Sequence, residues 1–266
     1  MKTIYVLLFT VVFAVACNKE SDDLNANTPT PTPTPTPTDT LETETFTFLS
    51  NETEKEGKIY LPAAYETNKS LPAIYLIDFA EQHYPLTTDE FEKVINGVQQ
   101  IEGFDALVVS LENIPGFDAN PNNFQNHYEI YKNMTTYVDG KYTNNPSRTF
   151  IGRGSESGVV MMALFLENPD SSVFNNFIST DPSPLYTSAI IELLENDNFP
   201  QNKLDKKLHF SFSTSNDPVK CTELINLVSG AQYPWLQFES IEYTSSDYTN
   251  TYPISYAAGI KYVFNE

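Results

Sequence analysis

The sequence predicts an α/β fold, a three-layer sandwich around a mostly parallel sheet with an antiparallel strand pair at its N-terminal side. Two kinds of segment predict it. Short, nearly continuous apolar runs such as "LPAIYLID" (Leu71–Asp78) and "FDALVVSLE" (Phe104–Glu112) suit strands covered on both faces. Between such runs lie longer segments with apolar residues at helical spacing, and strands alternating with helices imply a parallel sheet. The N-terminal pair comes from a third observation: "TETFTFLSN" (Thr43–Asn51) and "GKIYLPAAY" (Gly57–Tyr65) alternate around a polar connection.

The remaining elements follow in order. "TTDEFEKVINGVQQI" (Thr87–Ile101) has a cap-like threonine and acids in its first turn, and predicts a helix. Asn122–Tyr142 predicts the next helix. "RTFIG" predicts a strand and "SGVVMMALFLEN" a helix. Phe174–Ser183 carries a strand, "PLYTSAIIELLEN" a helix, and Lys206–Thr214 a strand. "PVKCTELINLVSG" predicts a helix stopped by Gly230, and "LQFESIEYT" and "PISYAAGIKYVFN" the last strand and helix. Ligands of such sheets bind at the carboxyl ends of the strands. The loops after Asp78, Glu112, Gly152, Thr180, Thr214 and Thr244 are therefore the places for a site.

The N-terminus carries an address. Residues 1–16 pair a short basic start with an apolar run too brief to span a bilayer, as in a secretory signal. "VAC" at Val15–Cys17 resembles a lipobox, which implies cleavage before Cys17 and lipid on that residue. Residues 17–40 form an acidic and Thr-Pro-rich linker. Proline cannot serve a helix or sheet interior, so the tract should be extended, reaching about 70 Å. The acidic start resembles the export tags of surface lipoproteins, which implies an outer-membrane, surface-exposed location. Residues 41–266 suffice for one domain with its own core.

Composition excludes several functions. The formal charge is −20, and loss of Lys2 with the leader makes it −21, which argues against a nucleic-acid partner. The chain has two cysteines, and lipidation of Cys17 leaves only Cys221, so no internal disulfide is expected. His83, His127 and His209 are scattered without ligand spacing, so neither a metal nor a cofactor is expected. His83 reads as a loop residue, His209 as a packed core histidine, and His127 as lying on a helix face.

The chemistry-bearing stretch is "RTFIGRGSESGVVMMALFLENPD" (Arg148–Asp170), a strand, a tight turn with serines, then a helix. With "IYLPAAY", "PAIYLID", "TTYVDGKYTNNPSRTFIG", "ALFLENPDSSVFNNFISTDPS" and "YPISYAAGIKYVF", in this order, it resembles the esterase-D and enterochelin-esterase-like branch of the α/β-hydrolases. The likeness covers nearly all of residues 43–266. It implies a Gly-x-Ser-x-Gly elbow, and counting back from Asn168–Pro169 places Ser155 at the nucleophile position. Arg153 and Ser157 then take the two glycine positions. Tyr248 takes the family's histidine position, and a tyrosine is phenolate only to roughly one part in a thousand at neutral pH. Asp217 is the acid candidate, although it also reads as the N-cap of a helix. Phe79 and Glu156 fall at the oxyanion-loop positions, where Phe79 would crowd the donors.

These departures lead to the expectation of a catalytically degenerate hydrolase. It would be anchored to the membrane through lipid on Cys17 and act on a ligand, a glycan or an envelope protein by binding. The alternative is an active carboxylic-ester hydrolase with Ser155 as nucleophile and a non-standard base.

Overall fold

The structure, a computed structural model, describes residues 42–78, 89–112, 120–201 and 203–265. The leader, Cys17, the Thr-Pro linker, Phe79 and His83 lie outside the described residues. Eight strands form one sheet in the order β1-β2-β4-β3-β5-β6-β7-β8. They are β1 (Thr43–Ser50), β2 (Thr53–Tyr60), β3 (Ala73–Leu76), β4 (Leu107–Leu111), β5 (Arg148–Arg153), β6 (Asn176–Thr180), β7 (Lys206–Ser213) and β8 (Leu236–Tyr243). β1 runs antiparallel to β2, and β2 to β4, while every other pairing is parallel. The helices are α1 (Glu90–Gln99), α2 (Phe124–Lys141), α3 (Ser155–Leu166), α4 (Pro184–Glu195), α5 (Pro218–Ala231) and α6 (Thr251–Phe264).

Two apolar cores hold the layers. On one sheet face Phe150, Phe177 and Phe210 pack with residues of α2 to α5, including Tyr131, Val160, Ile190 and Leu224. On the other, Ile74, Ile151 and Ile178 meet α1 and α6 through Val94, Ile95, Tyr256 and Ile260. The central strands are therefore buried on both sides, which explains the nearly continuous apolar runs of β3 and β4.

Two element boundaries differ from the sequence expectation. β2 begins at Thr53 rather than Gly57, because Asn51 and Glu52, with φ of 49° and 61°, make a two-residue hairpin turn. The polar stretch "TEKE" is thus strand, its exposed side chains hiding the period. Gly230 does not stop α5; the left-handed residue closing that helix is Gln232, at φ 47° and ψ 48°.

Candidate functional site

β5 lies between β3 and β6 and delivers its carboxyl end to the middle of the sheet edge. The strand ends at Arg153 and α3 begins at Ser155, so the whole reversal falls on Gly154. Its φ of 64° and ψ of −128° lie where side-chain-bearing residues are strained. Two backbone bonds fix the turn: Gly154 N donates to Thr180 O at 3.0 Å, and Gly154 O accepts from Ser183 N at 3.1 Å. Two residues earlier, a Cβ on Gly152 would stand 3.0 Å from the Glu156 carbonyl carbon and 3.2 Å from Ser157 N. Strand and helix cross at that point, and a side chain there would require the helix backbone to give by a few tenths of an ångström.

This geometry corrects the register of the elbow. The strained apex of a strand-to-helix elbow is where a nucleophile stands, and here it is Gly154. Ser155 is instead the first residue of α3, half-buried at the pocket wall. The first glycine position belongs to Gly152, not Arg153, and the second to Glu156, not Ser157. Counting back from Asn168–Pro169 missed by one because the helix fixes no unique phase; the glycine at the apex was the available signal. A Cβ on Gly154 would fall on the Tyr248 hydroxyl. Tyr248 thus lies against the turn, its hydroxyl where a side chain at position 154 would begin.

Arg153 explains the next layer. Its side chain is 3% exposed and pairs with Glu90 of α1 at 2.6 Å. It donates to the Tyr248 carbonyl at 3.2 Å, and its guanidinium lies against the rings of Tyr248 and Tyr252, 4.7 and 4.5 Å from their centroids. Glu90 also accepts from Tyr256 Oη at 2.8 Å, while Tyr252 Oη donates to Asp89 at 2.6 Å. Burial pushes the Glu90 carboxyl up to about 7 despite the attraction of Arg153. Burial pushes Glu156 up to about 8, against a backbone hydrogen bond that favours its charged form, and the nearby Glu90 and Asp78 add to the rise.

Asp217 caps α5: its carboxylate accepts from Val219 N and Lys220 N, both at 3.1 Å. The carboxylate that reaches the pocket wall is a different one, Asp181, at the end of β6. It is 1% exposed and has a φ of 48°. Its Oδ1 accepts from Ser213 N at 2.6 Å, Ser213 Oγ at 2.9 Å and Asn216 Nδ2 at 3.3 Å. Sequence reasoning passed over Asp181 because Asp-Pro-Ser reads as an ordinary turn.

The resulting pocket, of about 370 Å³, is lined by Gly154, Ser155, Asp181, Pro182, Ser183, Pro184, Ser215, Asn216, Tyr248 and Thr249. A larger open groove of about 690 Å³ lies along α5, between Pro218 and Leu227, but it is formed by one helix and gathers no convergent polar groups. The elbow pocket is the candidate site for that reason. His127 and His209 do not line it. His209 is a buried β7 residue whose Nδ1 meets Glu239 Oε2 at 2.9 Å. Among the described residues no cluster of three His, Cys, Asp or Glu side chains is disposed to hold a metal ion. Cys221 is buried, and burial pushes its thiol up to about 12.

No protein-family model matches this chain, and no curated protein matches it by sequence. Solved structures do match. An IroE-like serine hydrolase from Shewanella oneidensis superposes with a TM-score of 0.64 at 17% identity, over 84% of this chain and 80% of that one. The siderophore hydrolase EstA from Aspergillus nidulans gives a TM-score of 0.61 at 13% identity, over 83% of this chain and 93% of that one. A hyperthermophilic esterase from the archaeon Pyrobaculum calidifontis gives 0.56 at 13% identity, over 84% and 83%. The fold is that of an esterase-like α/β-hydrolase. Within that fold, the Gly154 turn joins β5 to α3 and Tyr248 lies in the loop before the last helix.

Proposed function

We propose that this chain is a lipid-anchored envelope protein that keeps an esterase-like α/β-hydrolase frame and acts by binding at the old active-site face, without ester hydrolysis. One observation carries the reading: the elbow apex is a glycine, and the Tyr248 hydroxyl fills the space of the missing nucleophile. Acyl transfer by this route needs a nucleophile and a base that shares its proton. Gly154 supplies no nucleophile, and a tyrosine in the base position is a poor base at neutral pH. Behind the turn, the charges are committed to a buried Arg153–Glu90 pair rather than presented to a substrate.

The anchor reading rests on the sequence alone, on the leader, Cys17 and the extended linker. Among the described residues no helix is long and apolar enough to cross a membrane, so a bilayer attachment would fall to the lipid. The ligand would be a small molecule, a glycan or a protein of the envelope.

Labelling with a fluorophosphonate probe, located by mass spectrometry, tests the reading. No adduct is expected on the folded protein. Stoichiometric labelling of Ser155, abolished by Ser155→Ala, would instead establish an activated serine and an ester hydrolase with a non-standard base.

A further inference from the structure

We propose that the elbow pocket binds a small primary ammonium carried on a hydroxylated scaffold, with Asp181 as its counter-charge. The inference rests on the reading that this face binds rather than hydrolyses. Asp181 is the starting point. Its left-handed backbone, φ 48°, is a conformation that a non-glycine residue adopts at some cost. Three donors converge on its Oδ1, from Ser213 and Asn216. Its Oδ2 is buried and has no hydrogen-bond partner among the described residues. The same holds for Ser183 Oγ, two residues on. Both residues line the pocket. A buried polar atom without a partner is costly, and two at the wall of one pocket mark where ligand donors are wanted.

The charge balance selects the ligand. No lysine, arginine or histidine lines the pocket among the described residues. Arg153 lies close by, but its guanidinium is engaged with Glu90 and two tyrosine rings. Asp181 is the one acidic residue among the described residues that line the pocket. Phosphates and carboxylates would meet repulsion there, within a chain of formal charge −20. An ammonium offers three donors and a positive charge, and charge-assisted bonds of this kind are the stronger ones. The hydroxyls of Ser155, Ser215, Tyr248 and Thr249 ring the rest of the wall and suit a hydroxylated body.

Titration of the protein with D-glucosamine, ethanolamine and D-glucose, followed by calorimetry and by amide chemical shifts at about pH 6, where the amines are charged, tests this. Glucosamine should bind at least about tenfold more tightly than glucose, with shifts at Asp181 and Ser183. Asp181→Asn keeps an Oδ1 acceptor, tolerates the left-handed backbone and replaces Oδ2 by a donor. It should abolish the preference for the amine. Ser183→Ala, a second and milder variant, should weaken glucosamine binding several-fold. Equal binding of glucosamine and glucose, no binding of either amine, or amine binding untouched by Asp181→Asn in a folded protein would overturn the proposal. Saturable binding of glucose without amine preference would do so while leaving the binding-protein reading standing. Ester turnover at Ser155 would remove that reading itself.

Discussion

At the scale of single residues, the proposed loss of ester chemistry rests on Gly154 and Tyr248 together. Placing histidine at position 248 supplies a base but no nucleophile, so Tyr248→His should give no measurable hydrolysis of a p-nitrophenyl ester. Efficient turnover by that single variant would mean that Ser155 can serve after all. Placing serine at the apex meets two obstacles, the strained φ and the Tyr248 hydroxyl. Gly154→Ser should cost roughly 1–3 kcal/mol in denaturant unfolding. Part of that cost should be recovered in Gly154→Ser combined with Tyr248→Ala, which clears the space. The identities of these residues were legible in the sequence, but their register was not. A one-residue shift in "RGSESG" leaves composition unchanged and moves the apex from a serine to a glycine.

At the scale of elements, the site depends on how α3 and β5 are held. Gly158 lets α3 approach α4, since a Cβ there would enter the Tyr186 ring. Gly158→Ala should therefore destabilise by roughly 1–3 kcal/mol through overpacking, despite alanine's better helix propensity. A gain in stability from that change would show that Tyr186 has room to move. The Arg153–Glu90 pair links the end of β5 to the first turn of α1, and both side chains are almost wholly buried. Removing one partner leaves the other charge uncompensated, so Arg153→Met should cost about 3–5 kcal/mol. The strand and helix succession was readable because β3 and β4 carry nearly continuous apolar runs and the segments between strands have helical spacing. The start of β2 and the end of α5 were not, because a polar hairpin edge hides its period and Gln232 is an unexpected residue for a left-handed helix end.

Across the whole molecule the buried carboxyls set the pH response. Glu90 and Glu156 have folded pKa values raised above the ordinary carboxylate range, to about 7 and about 8, chiefly by burial. Between the ordinary value and these raised ones the native state holds more protons than the unfolded chain. Their stabilising contribution is full below about pH 4 and is lost as pH rises through about 7 to 8. Glu167 acts in the opposite sense. Burial alone would raise its carboxyl, but Lys206 and Tyr128 Oη hold it below the ordinary range, so its contribution is lost on acidification. The melting temperature should accordingly be higher at about pH 5.5 than at about pH 8.5, and Glu156→Gln should flatten that slope. Equal melting temperatures at the two values would show that Glu156 reaches solvent and titrates normally. The formal charge of −20 steepens the same trend through repulsion at high pH, and added salt should relieve that part alone.

The sequence by itself determined the layer architecture, since an alternation of buried strands and amphipathic helices has few other ways to hide its apolar surface. It also determined that the Thr-Pro-rich composition of residues 17–40 is ill suited to a packed core. Which residue sits at the elbow apex was decided only in three dimensions. Backbone dihedrals at the β5–α3 junction, and the 3.0 Å approach of α3 over Gly152, assign that place to Gly154. Tertiary structure alone also brings Asp181 to the pocket, and of the two readings the sequence left open for Asp217 it shows the helix cap. The physical reason is the same in each case: a motif fixes residue types along the chain, while the direction a side chain takes depends on φ, ψ and the neighbours that the fold supplies.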